Sequence, residues 1–463
     1  MCGFFGVINN GLDINFEKEK SLTSTVLNHR GPDDNNFRIF SVLKNQKIFL
    51  SHNRLSILDL SSLGRQPMTT SDENFVIIYN GEIYNYLELR KDLKKKFPDL
   101  EFKSDTDTEV LLKGWSIYGK KFIDKIKGMF SFAILDKNKK IMSLVRDRFG
   151  IKPLYFSINK SKIIFSSEIQ SQLKLLDFNE ELNFEKIFDY IQWDLRDCDD
   201  STFFKNIKSL KPSEIVEINL NDLSFTHEKY WHQSIQQTNK MSIDKAKQKL
   251  QEIFRESVKL HLRSDVKVGV ALSGGIDSTS ILSMISEIYP DNKIYTFSYI
   301  SDDKKFSEEK WVDIANEKNN TISKKVEITP NQFERDFESI MEYLGEPFGS
   351  ASFYSSYRVY KLAAENGIKV ILDGQGGDEI LGGYFGYLGE KLHSLYKFKK
   401  LQCLKIFFSL LINSKYKKLL LREVLKRILV SNMFLSKVFY KLKYNCDNTF
   451  SKKFLKKNKI IYD

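Results

Sequence analysis

Over the first 220 residues, β-rich or alternating apolar runs are broken every few positions by Gly, Asn or Asp. FVIIYNGEIYNY (75–86), KGMFSFAILD (127–136), KIMSLVRDRFG (140–150) and KIIFSSE (162–168) predict β-strands. Helical spacing interrupts them near 18–29, at YLELRKDLKKKF (86–97) and at DTDTEVLLKGWSIYG (105–119). In the last of these, Asp105 or Thr106 would cap the helix. Residues 203–219 and 224–231 read as a closing hairpin, and HQSIQQTNKMSI (232–243), polar and aperiodic, as a linker.

Beyond the linker the pattern changes. SIDKAKQKLQEIFRESVKLHL (242–262) is amphipathic at helical spacing, VKVGVAL (266–272) is a short buried strand, and SGGIDSTSILSMISEIY (273–289) turns into a helix. Strands KIYTFSYI (293–300), KKVEIT (324–329) and KVILDG (369–374) alternate with helices over 308–319, 331–345 and 352–367. Such alternation predicts a parallel sheet covered on both faces. The chain therefore divides into two: residues 2–220, mostly strands with few helices, and 240–463, α/β with a helical tail.

Composition narrows the class. A chain of 463 residues with 41% hydrophobic and 29% charged positions is globular and too long for one core. Cys2, Cys198, Cys403 and Cys446 are far apart and form neither a disulfide framework nor a zinc-ligand spacing. A reducing cytoplasmic location is expected, with no leader and no apolar run long enough to span a bilayer. The net charge of +12 is concentrated: residues 384–463 hold 17 Lys and 2 Arg against 2 Glu and 2 Asp. That basic segment reads as a solvated helical face; docking on an anionic membrane or a partner is the alternative, and no nucleic acid is expected.

The start, MCGFFGVI, carries chemistry. Loss of Met1 would place a free α-amine and a thiol on one residue, Cys2. An α-amine titrates near ~8, so it can serve as a proton acceptor beside its own nucleophile. After Cys2 come HRGPDD (29–34), NRLSILDL (53–60), NGEIYN (80–85), SDTDTEV (104–110), GMFSFAILD (128–136) and RDRFGIKPLYF (146–156). As an ordered set these resemble the glutaminase domain of class II glutamine amidotransferases. The resemblance implies an Ntn-hydrolase αββα sandwich with Cys2 as nucleophile toward the glutamine carboxamide. It implies an oxyanion hole of Asn80 and Gly81, with Gly at 81 admitting close backbone approach. It also implies that Arg54 grips the α-carboxylate and that Glu82 and Asp107 bind the α-amino end. Arg30 is expected to be structural.

VGVALSGGIDSTS runs from a strand through two glycines into a helix, a geometry that offers free N–H groups to an anion. It lacks the GK[ST] of the P-loop. With VILDGQGGDEILGGY (370–384) it resembles the ATP-pyrophosphatase half of the asparagine synthetase family, an adenine nucleotide alpha hydrolase-like fold. That resemblance implies a pyrophosphate cradle of Ser273, Gly274, Gly275 and Ser278. It puts Leu272, Tyr299, Asp373 and Gly374 at the ATP site and Asp277 and Asp378 on Mg²⁺. The implied activity is ATP-dependent amidation of a carboxylate, aspartate first, with ammonia from glutamine. Glutamine, ATP and the acceptor are the expected partners, with a homodimer left open. SGGIDS weighs against a phosphosugar or phosphoribosyl amidotransferase, which need not cleave ATP.

Two departures qualify this. Gln375, in DGQG, stands where the family shows an acid, which opens the alternative of a sugar or other carboxylate from surface-polysaccharide synthesis. The family's R-x-P-F-L-D stretch beyond GGY is not found, so the second half reads as truncated. A degenerate binding or regulatory protein is the further alternative.

Overall fold

The computed structural model describes residues 1–10, 16–159, 162–175, 181–234, 241–398 and four positions within 405–409. Half of the expected linker and most of the basic segment, with Cys403 and Cys446, lie outside the described residues.

In chain order the first half contains β1 (Gly3–Asn10), α1 (Glu17–Thr25), β2 (Asp34–Phe40), β3 (Gln46–Arg54), β4 (Met68–Thr69) and β5 (Phe75–Ile83). Next come α2 (Tyr86–Lys96), α3 (Asp107–Tyr118), β6 (Gly128–Asp136), β7 (Ile141–Arg146), β8 (Tyr155–Ile158) and β9 (Lys162–Ser166). It closes with α4 (Ile169–Leu175), α5 (Phe184–Trp193), β10 (Lys208–Ser209), β11 (Glu214–Asn219) and β12 (Phe225–Lys229). These strands form two six-stranded sheets, ordered β10-β8-β9-β1-β3-β2 and β12-β11-β7-β6-β5-β4.

Alternation decides the layering, since successive strand residues face opposite ways. Phe4, Ile8, Ile48 and Leu50 of one sheet share a core with Val76, Ile78, Ala133, Leu135 and Leu144 of the other. Their neighbours Phe5, Val7 and Phe49 pack outward with Phe16 and Leu27 near α1. On the far side Ile77 and Tyr79 pack against Leu89 and Leu93 of α2 and Val110, Leu111 and Trp115 of α3. Helix, sheet, sheet and helix are thus stacked as expected.

His52 of β3 is buried between the sheets, its Nε2–H donating to Tyr79 O at 2.9 Å. Burial pulls its imidazole down to about 4. In the unfolded chain it protonates near the ordinary 6.5, so between 6.5 and 4 the unfolded state holds more protons. Stability is therefore lost as pH falls through that window, by about 3 kcal/mol for this group alone. Denaturant midpoints should drop from pH 7 to pH 4.5 in the wild type and drop less in His52→Gln; an equal slope in both would remove His52 as the cause.

The second half contains α6 (Ile243–His261), β13 (Val268–Ala271), α7 (Ile276–Ile288), β14 (Tyr295–Tyr299), α8 (Glu309–Lys318) and β15 (Ile322–Val326). Then follow α9 (Pro330–Leu344), α10 (Ala351–Glu365), β16 (Val370–Leu372), α11 (Gly377–Leu381) and α12 (Phe385–Phe398). The sheet is parallel, ordered β15-β14-β13-β16. Val270, Leu272, Leu282, Ile285 and Val312 fill one face; Phe297, Val359, Ala363 and Ile368 fill the other. Burial on both faces is why these strands read as continuous apolar runs. No described helix is long and apolar enough to cross a membrane.

Several expectations shift. β15 starts two residues earlier than expected, α4 and α5 were not foreseen, and the long strand over 203–219 is only β10 and β11. Thr106, not Asp105, caps α3: its side chain accepts from Glu109 N at 3.2 Å.

Candidate functional site

Cys2 lies just before β1, Arg54 ends β3, Asn80, Gly81 and Glu82 sit on β5, and Asp107 opens α3. All six line one pocket, together with Met1, Gln66, Tyr79, Thr108 and Lys152. Strand pairing brings this about. β1 and β3 are neighbours in one sheet, with Gly3 opposite Asn53. β5 belongs to the facing sheet.

The Cys2 thiol is half-buried; Sγ accepts from Leu55 N at 3.4 Å. Arg30 Nε donates to Cys2 O at 2.9 Å and Arg30 Nη1 to Glu168 at 2.9 Å, so Arg30 pins the backbone beneath the thiol. Asn80 is buried and its Nδ2 has no hydrogen-bond partner among the described residues. A buried amide donor without a partner is costly and rare, which points to a group that arrives from outside. A Cβ on Gly81 would lie 2.3 Å from Met129 O and 2.7 Å from Phe130 Cα. The glycine admits the neighbouring strand β6.

The Arg54 guanidinium is already oriented. Nη1 donates to Ser61 O at 2.7 Å, and Nη2 to Leu58 O at 3.1 Å and Asp59 O at 2.5 Å. Those bonds use three of its five N–H groups and leave Nε–H and one Nη1–H, which point in different directions, as donors to an incoming anion. Asp107 Oδ2 accepts from Tyr79 Oη at 2.8 Å and from Ile83 N at 2.9 Å. Burial nonetheless holds its carboxyl above the usual range. Burial and the adjacent Asp107 push Glu82 up to about 7.

Sequence reasoning missed Lys152. It falls within RDRFGIKPLYF, but nothing in that motif signals that the lysine is buried. Burial pulls its ammonium down to about 8, and Nζ lies 3.0 Å from Met1 Sδ. The Met1 α-amine is pulled down to about 5, first by burial and then by Arg30. Met1 thus occupies part of the pocket. Its removal would clear that space and move the α-amine onto Cys2 itself. Glu82 and Asp107 thus line one concavity with Arg54 and Lys152, a donor and acceptor set that suits a small polar ligand.

The second cluster forms at the ends of β13 and β16, which pair as Val268↔Val370 and Val270↔Leu372. β14 lies on one side of β13 and β16 on the other, so strand order reverses between β13 and β16. In parallel sheets the crevice at such a reversal, beyond the strand C-termini, is where ligands bind. Ser273 to Ser278 leave β13 there and open α7: Gly274 has φ +83°, Gly275 N donates to Ser273 Oγ at 3.2 Å, and the Ser273 and Ser278 hydroxyls lie 3.1 Å apart.

Asp373 to Asp378 leave β16 beside them. A Cβ on Gly374 would stand 2.8 Å from Asp277 Cβ, and one on Gly377 would stand 2.5 Å from Asp277 Oδ2. The two motifs therefore interlock through Asp277. Asp378 packs on Gly383, and Asp373 accepts from the Tyr360 hydroxyl. Leu272 gives its side chain to the core, and Tyr299 is exposed at the end of β14. Gln375 is exposed at the crevice, its N–H donating to Asp373 Oδ1 at 3.0 Å. No cluster of three His, Cys, Asp or Glu side chains suited to a metal occurs among the described residues.

Comparison with known proteins gives two family matches. The family described as "Glutamine amidotransferase domain" matches residues 1–231, and that described as "Asparagine synthase" matches residues 249–442. A Methanocaldococcus jannaschii protein assigned as asparagine synthetase (glutamine-hydrolyzing) 2 is 33% identical over 84% of this chain and 76% of its own. Asparagine synthetase (glutamine-hydrolyzing) 1 of Bacillus subtilis is 34% identical over 83% of this chain and 59% of its own. Asparagine synthetase (glutamine-hydrolyzing) 2 of the same organism is 33% identical over 83% and 52%. The chain thus spans between half and three quarters of these relatives' lengths.

Proposed function

The chain belongs to the glutamine-hydrolysing asparagine synthetase family, and on that premise we propose that it takes ammonia from glutamine at Cys2 and uses ATP to amidate a carboxylate. The observation that carries the glutaminase half is the orphaned amide of Asn80 in the pocket that holds Cys2. Cys2 Sγ adds to the side-chain carboxamide of glutamine and gives up its proton to the α-amine exposed by loss of Met1. The oxyanion of the adduct takes the Nδ2–H of Asn80 and the N–H of Gly81. The α-ammonium returns that proton to the amide nitrogen, ammonia leaves, and water cleaves the resulting thioester to glutamate and free thiol. Arg54 holds the substrate α-carboxylate, and Glu82 and Asp107 hold its ammonium.

In the crevice, Ser273, Gly274, Gly275 and Ser278 cradle the pyrophosphate portion of ATP, with Leu272, Tyr299, Asp373 and Gly374 around the nucleotide. The acceptor carboxylate displaces pyrophosphate from the α-phosphorus and becomes an acyl adenylate. Ammonia then displaces AMP and forms the amide. Mg²⁺ would neutralise phosphate charge there, with Asp277 and Asp378 as its protein ligands. A set of two carboxylates fits a cation that completes its shell with phosphate oxygens and water.

Aspartate is the first acceptor to try. The exposed neutral amide of Gln375, where the resemblance expects an acid, favours a sugar or other carboxylate as the second reading. A homodimer and a cytoplasmic location belong to the same proposal. A panel of carboxylic acids supplied with glutamine and ATP tests it. AMP and glutamate should accumulate together for one acid of the panel; glutamate release that never yields AMP with any acid would leave a glutaminase without its synthetase.

A further inference from the structure

The two candidate sites are joined through one loop. Residues 55–61 follow β3 and supply the carbonyls of Leu58, Asp59 and Ser61 that fix the Arg54 guanidinium. The second half grips this loop at two points. Asp265 N donates to Ile57 O at 3.0 Å, and Asp265 Oδ2 accepts from Asp59 N at 2.7 Å. Asp33 Oδ2 accepts from Ser56 N at 2.7 Å and from Lys369 Nζ at 2.7 Å.

Asp59 is the pivot. Its φ of +50° is uncommon for a residue with a side chain and persists only where the surroundings over-determine it. Its carboxylate accepts from Ser61 N at 3.1 Å, Ser61 Oγ at 2.6 Å and Asp105 N at 2.8 Å. Its carbonyl faces Arg54, and its N–H goes to Asp265.

The same segment also reaches the chain just after β5. Arg263 Nη1 donates to Tyr84 O at 2.7 Å and to Glu88 Oε2 at 2.6 Å, just beyond the strand that carries Asn80 and Glu82. Asp265 lies three residues before β13 and Lys369 one before β16, the two strands whose far ends carry the nucleotide motifs.

We propose that Asp265, supported by Lys369, is a positioning residue for the glutamine pocket: it holds loop 55–61 so that Arg54 presents its remaining N–H groups to the substrate α-carboxylate. The proposal rests on the glutaminase reading of that pocket. A charge-assisted bond to a loop amide acts on how well the grip is preorganised and leaves the Cys2 chemistry untouched.

The test compares Asp265→Ala, Asp265→Asn and Lys369→Met in the full chain. Asp265→Ala should raise KM for glutamine about tenfold or more, the value of one charged hydrogen bond, with kcat within ~threefold of wild type. Asp265→Asn should restore most of the affinity, because its amide oxygen still accepts from Asp59 N. Lys369→Met should raise KM in the same direction by less. Amide exchange over 55–61 should quicken in Asp265→Ala, and AMP release from ammonia and acceptor should hold.

An unchanged KM in Asp265→Ala overturns the proposal, as does a parallel fall in ammonia-dependent AMP release, which would mark general damage. Unchanged exchange over 55–61 overturns the brace without reference to activity. A wild-type chain that releases no glutamate from glutamine overturns the glutaminase reading instead, while the exchange measurement still decides the brace.

Discussion

Replacing Cys2 with Ala is expected to cut glutamate release from glutamine by at least about 10³-fold while amidation from ammonium salts stays within ~threefold of wild type. In the proposed reaction the thiol is the bond-forming atom, and no neighbouring group would replace it: Lys152 and the α-amine are bases and donors, not acyl carriers. The fold should tolerate the change. The side chain is half-buried, it packs in none of the apolar clusters, and its one backbone donor is Leu55 N at 3.4 Å. The nucleotide crevice belongs to a separate sheet with its own core. Wild-type glutamate release in the variant would remove Cys2 from the chemistry. Equal loss of ammonia use would show that the two sites do not operate separately. Mass spectrometry of the active wild type should also show Met1 gone; retained Met1 would keep the α-amine off Cys2.

The strands of the first half were legible as apolar runs bounded by turn residues. Which face each residue takes was not: Val76 and Ile78 point one way, Ile77 and Tyr79 the other, yet all four are apolar because both faces of the sheet are covered. The same holds for β1: GFFGVI is apolar on both faces because it lies inside a sheet covered on both sides, so period two disappears. α4 has only seven residues, too few for helical spacing to register. In the second half the parallel class was legible from strand–helix alternation. The placement of β16 beside β13 was not, since it depends on a crossover and not on any residue in the strand.

The site divided in the same way. The side chains proposed to carry chemistry sit in compact motifs, so Cys2, Arg54, Asn80, Glu82 and Asp107 could be named before they were seen to share a pocket. Lys152 could not, because what distinguishes it is burial. Asp265 and Lys369 were silent for another reason. Their partners Asp59 and Asp33 lie 206 and 336 residues away in sequence, and a surface carboxylate and lysine look ordinary until the halves meet.

Asp277→Asn is expected to lower AMP and pyrophosphate formation by about 10²–10³-fold, the usual loss when one group facing transition-state charge is removed, while glutamate release continues. The substitution is chosen for shape. Asp277 is wedged against Gly374 and Gly377, with room for no further atom, and Asn fills the same volume. What changes is charge. Asp277 lies in the first turn of α7, where a carboxylate is favoured by the helix dipole by only ~0.3–1 kcal/mol, so the helix should survive its loss. Gly377→Ala supplies the steric counterpart: it keeps the charge but pushes the carboxylate from its place, since the added Cβ would stand 2.5 Å from Oδ2. Both variants should fail in AMP formation and both should retain glutaminase activity. AMP formation at the wild-type rate in Asp277→Asn would mean that this carboxylate faces no phosphate. Failure of Gly377→Ala alone would then assign the crevice's sensitivity to packing between the two loops and not to charge.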